Sequence, residues 1–129
     1  MSLFGRSPRG AARVTVRVAA ARTGHTPTTG NTGTAVLLDI REPHEWQAGH
    51  TPGAVHLPLA ALAGGDGLPT AARSRPVVVI CRSGNRSRRA AELLRDRGVE
   101  AVGVIGGMRD WAGAGLPVVD ARGGHGTVA

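Results

Sequence analysis

The chain contains one cysteine, Cys81, in the stretch Cys81-Arg82-Ser83-Gly84-Asn85-Arg86-Ser87. A cysteine does chemistry as its thiolate, and a helix N-terminus or neighbouring cations favour that form. Both are at hand here. Arg82 and Arg86 bring full charges. Gly84 lets the chain turn without a Cβ in the way. Successive N–H groups of such a turn make a nest for an anion, with the helix macrodipole behind it. The chemistry this arrangement suits is nucleophilic attack with a covalent intermediate. A lone cysteine is more often a small buried hydrophobe, but loop, helix mouth and arginines together favour the nucleophile. A single cysteine excludes an internal disulfide and an internal resolving thiol.

The elements around this stretch read as its scaffold. Pro76-Val77-Val78-Val79-Ile80 is an apolar run of strand type leading into the loop. Arg88 to Arg97 reads as the helix that follows, with Gly98 as its stop. Ala35 to Ile40 is a second strand, apolar nearly throughout and so covered on both faces, with Asp39 near its end. Arg41 to Trp46 opens a short helix with Pro43 in its first turn and Glu42 and Glu45 at its positive end. Pro52-Gly53 signals a turn before a strand over Ala54 to Pro58, and Leu59 to Ala63 suggests a helical turn. Ala101 to Ile105 is a further strand, and Met108 to Ala114 a short helix carrying Trp111. At the start, Arg13 to Val18 alternates like a short strand, and Ala19 to Arg22 allows one helical turn. Thr23 to Thr34 reads as a loop, with His25 exposed in it. Strands alternating with helices predict an α/β fold, a five-stranded, mainly parallel sheet flanked by helices on both faces. In such sheets active sites collect at the carboxyl ends of the strands, where Cys81 falls.

Composition narrows the function. The chain has 129 residues, enough for one domain and one core. Its formal charge of +7 is spread over many arginines and is compatible with a solvated basic surface or with attraction of small anions to a cleft. One Phe, two Trp and no Tyr argue against a base-stacking nucleic-acid surface. No His, Cys or carboxylate spacing suggests a metal site, and no cofactor is called for. Arg6, Arg9 and Arg13 interrupt the start before an apolar core forms, and no run is long enough to cross a membrane, so a cytoplasmic protein is expected.

Four blocks, taken in order, resemble the single-domain rhodaneses, a family of sulfurtransferases. Leu38-Asp39-Ile40-Arg41-Glu42-Pro43-His44-Glu45-Trp46 is similar to the family's first signature, and Gly49 to Pro58 to its second. Val79 to Ser87 is similar to its catalytic loop. Gly106-Gly107-Met108-Arg109-Asp110-Trp111 with Gly115-Leu116-Pro117-Val118 is similar to its C-terminal signature. The resemblance spans about residues 35 to 119. It implies a rhodanese domain over 13–119, between a loose N-terminus (1–12) and a loose tail (120–129). The N-terminal third departs from the family's usual strand and clear helix.

The resemblance also implies a mechanism. Cys81 takes the outer sulfur of a donor such as thiosulfate as a persulfide and passes it to cyanide or a thiol, with a protein sulfur acceptor as a further candidate partner; neither nucleic acid nor membrane is expected as a partner. The N–H groups from Arg82 to Ser87, including Ser83, Gly84 and Asn85, would cradle the sulfur. Arg86 is the first choice for the donor's oxygens and Arg82 the second, unless Arg82 faces solvent. Ser87 serves either the site or the following helix as its N-cap. Asp39 and Arg41 are expected behind the site, as a buried ion pair or loop brace rather than an acid–base couple. His50 and His56 are expected to be structural, His44 exposed, and Trp46 and Trp111 packed. Two arginines suit a doubly charged donor, thiosulfate over mercaptopyruvate. The alternatives are a non-catalytic interaction or sulfur-carrier module and, less well supported, a phosphatase or arsenate reductase. Phosphatases of the dual-specificity type place five residues between cysteine and arginine, and only four lie between Cys81 and Arg86.

Overall fold

In a computed structural model, which describes residues 13–26 and 33–129, the chain forms one parallel sheet. The elements in order are β1 (Arg13–Val14), α1 (Val16–Arg22), β2 (Val36–Asp39), α2 (Pro43–Ala48), β3 (Val55–His56), α3 (Leu59–Ala63), a 3-10 turn (Thr70–Ala72), β4 (Val77–Ile80), α4 (Asn85–Asp96), β5 (Ala101–Val104) and α5 (Gly107–Gly113). The strands lie in the order β1-β5-β4-β2-β3, all pairs parallel. The expected α/β fold of five parallel strands with helices on both faces is the one observed.

The central strand explains the two cores. Side chains alternate along a strand. Val78 and Ile80 enter one cluster with Val16, Ala19, Ala20, Met108 and Trp111, beneath α1 and α5. Val77, Val79 and Cys81 enter the other with Leu62, Ala90, Ala91 and Leu94, beneath α3 and α4. All four residues of β4 are buried, as a strand covered on both sides requires.

The N-terminal segment differs from the expected strand over Arg13 to Val18. Only Arg13 and Val14 pair, with Gly103 and Val104. The chain then turns into α1, because the Thr15 hydroxyl accepts the Val18 N–H at 3.2 Å as an N-cap. Val16, Ala19 and Ala20 are buried at helical spacing while Val18 faces out. The helix after the loop begins at Asn85 rather than Arg88, because Gly84, with φ of 109°, makes the left-handed turn that starts it. Residues 1–12, expected as a loose terminus, lie outside the described residues.

The segment after Val119 is tied to the domain where a loose tail was expected. Val119 bridges both His50 and His125. The N–H groups of Ala121 and Thr127 donate to Gln47 and Ala48 of α2 at 3.1 and 2.9 Å. Val128 packs on the core beneath α1 and α5.

Candidate active site

Topology points to one crevice. The chain leaves β2 towards β3 on one side and leaves β4 towards β5 on the other, so the connections diverge between these neighbours. Ligands of open parallel sheets bind at such a switch point. Asp39 and Ile80 are paired in register there, and Cys81 follows at once.

Cys81 is 1% exposed, and its sulfur is the focus of the loop. The Gly84 N–H donates to Sγ at 3.0 Å and the Ser87 N–H at 3.3 Å. Ser87 does not cap the helix. It lies in the first turn, and its hydroxyl donates to the Gly84 carbonyl at 3.0 Å. With no acidic residue in that turn of α4, the positive end of the macrodipole is left for the sulfur. Ser83 and Asn85 are exposed on the rim.

From behind, α5 anchors the loop. The Met108 N–H donates to the Cys81 carbonyl at 2.7 Å, and the Arg109 N–H to the Arg82 carbonyl at 3.0 Å. Gly107 makes this possible. Its φ is 56°, and a Cβ there would run into the Cys81 and Arg82 carbonyl groups. Gly107 and Met108 were not among the expected site residues, although the Gly106-Gly107 pair marks the turn in the sequence.

The arginines divide. Arg86 forms a two-pronged pair with Glu45 of α2, at 2.7 and 2.9 Å. Its fork is thus taken up by a carboxylate rather than left open to a donor. Glu45 also accepts the Glu42 N–H at 2.9 Å. The Arg86 hydrogen bonds outweigh the cost of burial and, with that N–H, lower the Glu45 pKa from the ordinary 4.5 to about 2. Glu45 in turn raises that of Arg86. Arg82 is exposed, and its Nε donates to the Ala129 carbonyl at 2.7 Å. Sequence reading did not single out Glu45 for the site, because its partner lies 41 positions away.

Asp39 and Arg41 form the buried ion pair. Arg41 Nε and Nη2 donate to the two Asp39 oxygens at 3.0 and 2.8 Å, and Nη2 also reaches the Gly49 carbonyl at 2.6 Å. Both residues are fully buried. The pair therefore clamps the end of β2 to the turn after α2. His56 bonds the Arg41 carbonyl at 2.8 Å and His50 the Trp46 carbonyl at 2.7 Å. Their rings stack on Trp46, at centroid distances of 4.7 and 3.7 Å. His44 is exposed. His25 is not the exposed loop residue expected: it is half-buried, bonded to the Pro52 carbonyl at 2.7 Å, and set edge-on to Trp111. Among the described residues no group of three or more His, Cys, Asp or Glu could hold a metal ion, and no helix is long and apolar enough to cross a membrane.

The family model for the rhodanese-like domain matches residues 28–114. A rhodanese-related protein from Thermoplasma volcanium is 36% identical, with a TM-score of 0.60 over 67% of this chain and 84% of its own. A Rhodopseudomonas palustris protein, named as a possible tyrosine phosphatase, is 26% identical with a TM-score of 0.60, covering 79% of this chain and 78% of that one. An HTH-type transcriptional regulator of Mycobacterium tuberculosis is 40% identical over 97 residues, 73% of this chain and 42% of the regulator. The chain thus spans about two-fifths of the length of that curated relative.

Proposed function

The chain belongs to the rhodanese-like domain family, and on that premise we propose that it is a sulfurtransferase working through a persulfide on Cys81. The observation that carries the reading is the convergence of the Gly84 and Ser87 N–H groups on the Cys81 sulfur, at 3.0 and 3.3 Å. These donors point at the sulfur and remain in place for a second sulfur bonded to it. In the first half-reaction the thiolate attacks the outer sulfur of thiosulfate. The Cys81 Sγ–S bond forms, the donor's S–S bond breaks, and the electron pair leaves with sulfite. In the second, cyanide or a thiolate attacks the outer sulfur of the persulfide, and the Cys81 thiolate is restored. No proton transfer is needed when the thiol is already ionised, which accords with Asp39 being fully engaged by Arg41.

Two features weigh against phosphate chemistry. Four residues separate Cys81 from Arg86, a short loop for a tetrahedral anion. The Arg86 fork is occupied by Glu45, whereas a bound phosphoryl group wants it free. A second reading is a non-catalytic module that interacts with a partner or holds sulfur for it; the relative named as a transcriptional regulator bears on the interaction alone.

Intact mass after incubation with thiosulfate, then with cyanide, tests the proposal on the native chain and Cys81→Ser. The expected result is a gain of one sulfur in the native chain alone, removed by cyanide with release of thiocyanate. Sulfur gained but not discharged to cyanide or to small thiols would favour the holding role. No gain, together with hydrolysis of an aryl phosphate, would overturn the sulfur reading.

A further inference from the structure

Arg13 lies outside every sequence block that carried the resemblance, yet the fold brings it to the loop. Strand β1 is an edge strand, and Arg13 pairs in register with Gly103 of β5. Gly103 faces Ser87 of α4, so alternation sends the Arg13 side chain to the α4 side of the sheet. There it reaches Gly84. A Cβ on Gly84 would lie 3.1 Å from Arg13 Nη2, 3.2 Å from the Gly106 nitrogen and 3.3 Å from the Val104 carbonyl oxygen. The guanidinium therefore packs against the residue whose N–H holds the Cys81 sulfur.

This is an unfavourable place for an unaccompanied cation. It is the start of α4, where the macrodipole is already positive and no acidic residue occupies the first turn. Arg13 Nε is buried without a hydrogen-bond partner. The site's two ion pairs, Asp39–Arg41 and Glu45–Arg86, leave it out. Replacing a cation so placed by an apolar side chain of similar length should cost the fold little, since an unsatisfied buried donor is a penalty. What such a cation does favour is an anion held on the other side of Gly84.

We propose that Arg13 is a positioning residue for the anionic sulfur at Cys81, acting through Gly84 and through space rather than by touching the donor. The inference rests on the sulfurtransferase reading. In the first half-reaction a thiolate and a doubly charged donor meet, and the three negative charges stay together until sulfite leaves. Of the groups around the loop, Arg86 is offset by Glu45 and Arg82 lies in solvent. Arg13 is a half-buried charge with no ion-pair partner among the described residues, where screening by water is weaker.

The test uses the full chain as wild type, Arg13→Met and Arg13→Lys, with thiosulfate as the probe. Three quantities are read: the second-order rate constant for sulfur loading by intact mass, its dependence on salt, and the thermal midpoint. The expected result for Arg13→Met is loading slowed about tenfold, a common effect of one nearby charge. Its salt dependence should be shallower and its thermal midpoint equal to or above that of wild type. Arg13→Lys should load within about twofold of wild type and keep its salt slope, because the charge is retained. Loading by Arg13→Met at the wild-type rate and salt slope would overturn the inference. So would a fall in its midpoint with loading equally poor in Arg13→Lys, since that marks a packing role. If the wild type itself takes up no sulfur, the underlying reading fails, an outcome distinct from either.

Discussion

Replacing Glu45 by Gln tests whether the pair with Arg86 holds the loop's first helical turn against α2. Gln keeps the length and an oxygen for the Glu42 N–H, so the change removes the charge and little else. Glu45 is buried, and its pKa stands at about 2 against an ordinary 4.5. By linkage that shift sets an upper limit of about 3 kcal/mol. Arg86 is 35% exposed in its side chain, so water screens the pair, and about 1–2 kcal/mol is the better figure. The sign follows from the direction of the shift. A carboxyl with a lowered folded pKa stabilises fully above its unfolded value and loses that stabilisation as pH falls towards the folded one. The wild type should therefore exceed Glu45→Gln by about 1–2 kcal/mol at pH 7. The gap should shrink to less than half by pH 3. Urea unfolding of both proteins at the two pH values measures it. Equal stabilities at pH 7, or the same gap at both, would refute the reasoning.

Gly107→Ala should destabilise the chain by about 2 kcal/mol or more and abolish sulfur loading, because the new methyl meets the Cys81 and Arg82 carbonyl groups. Gly113→Ala, in the same helix with open space at its Cβ, should be neutral or stabilising by about 0.5 kcal/mol. Thermal midpoints and loading rates of the two variants separate loop support from helix propensity. Arg41→Met should cost about 3–5 kcal/mol by stranding the buried Asp39 carboxylate. Much of that loss should return in the double variant with Asp39→Asn, which a double-mutant cycle by urea unfolding reads directly.

Much of this architecture is written locally. Val77 to Ile80 has the unbroken apolar run that a strand covered on both faces needs, and the Cys81–Ser87 stretch follows it directly and runs into the next helix. The misread pieces share one property, that their deciding contacts are distant or ambiguous at short range. Val14, Val16 and Val18 alternate as a strand would, and only the Thr15 cap turns the chain into α1. His25 sits among turn residues, yet Pro52, 27 positions on, fixes it. The segment after Val119 has no apolar period because backbone groups of His50, Gln47 and Ala48 hold it.

The same distinction bears on the arginines, which the sequence ranks with Arg86 ahead of Arg82 for the donor's oxygens. Both lie beside Cys81 in the loop, and a free guanidinium is the natural ligand for an oxyanion. What separates them is a carboxylate 41 residues earlier, carried on α2. Two of the site's cations, Arg41 and Arg86, end in the arms of Asp39 and Glu45. The donors that converge on the sulfur are backbone N–H groups, aimed at a single atom from 3.0 and 3.3 Å. Amides fixed in a turn hold one anionic atom at little entropic cost, whereas a forked side chain selects a planar pair of oxygens. Amides that meet at one point, beside the paired forks of Arg41 and Arg86, are matched to an anion the size of sulfur. That match, more than the charge of the loop as a whole, supports reading Cys81 as a sulfur carrier.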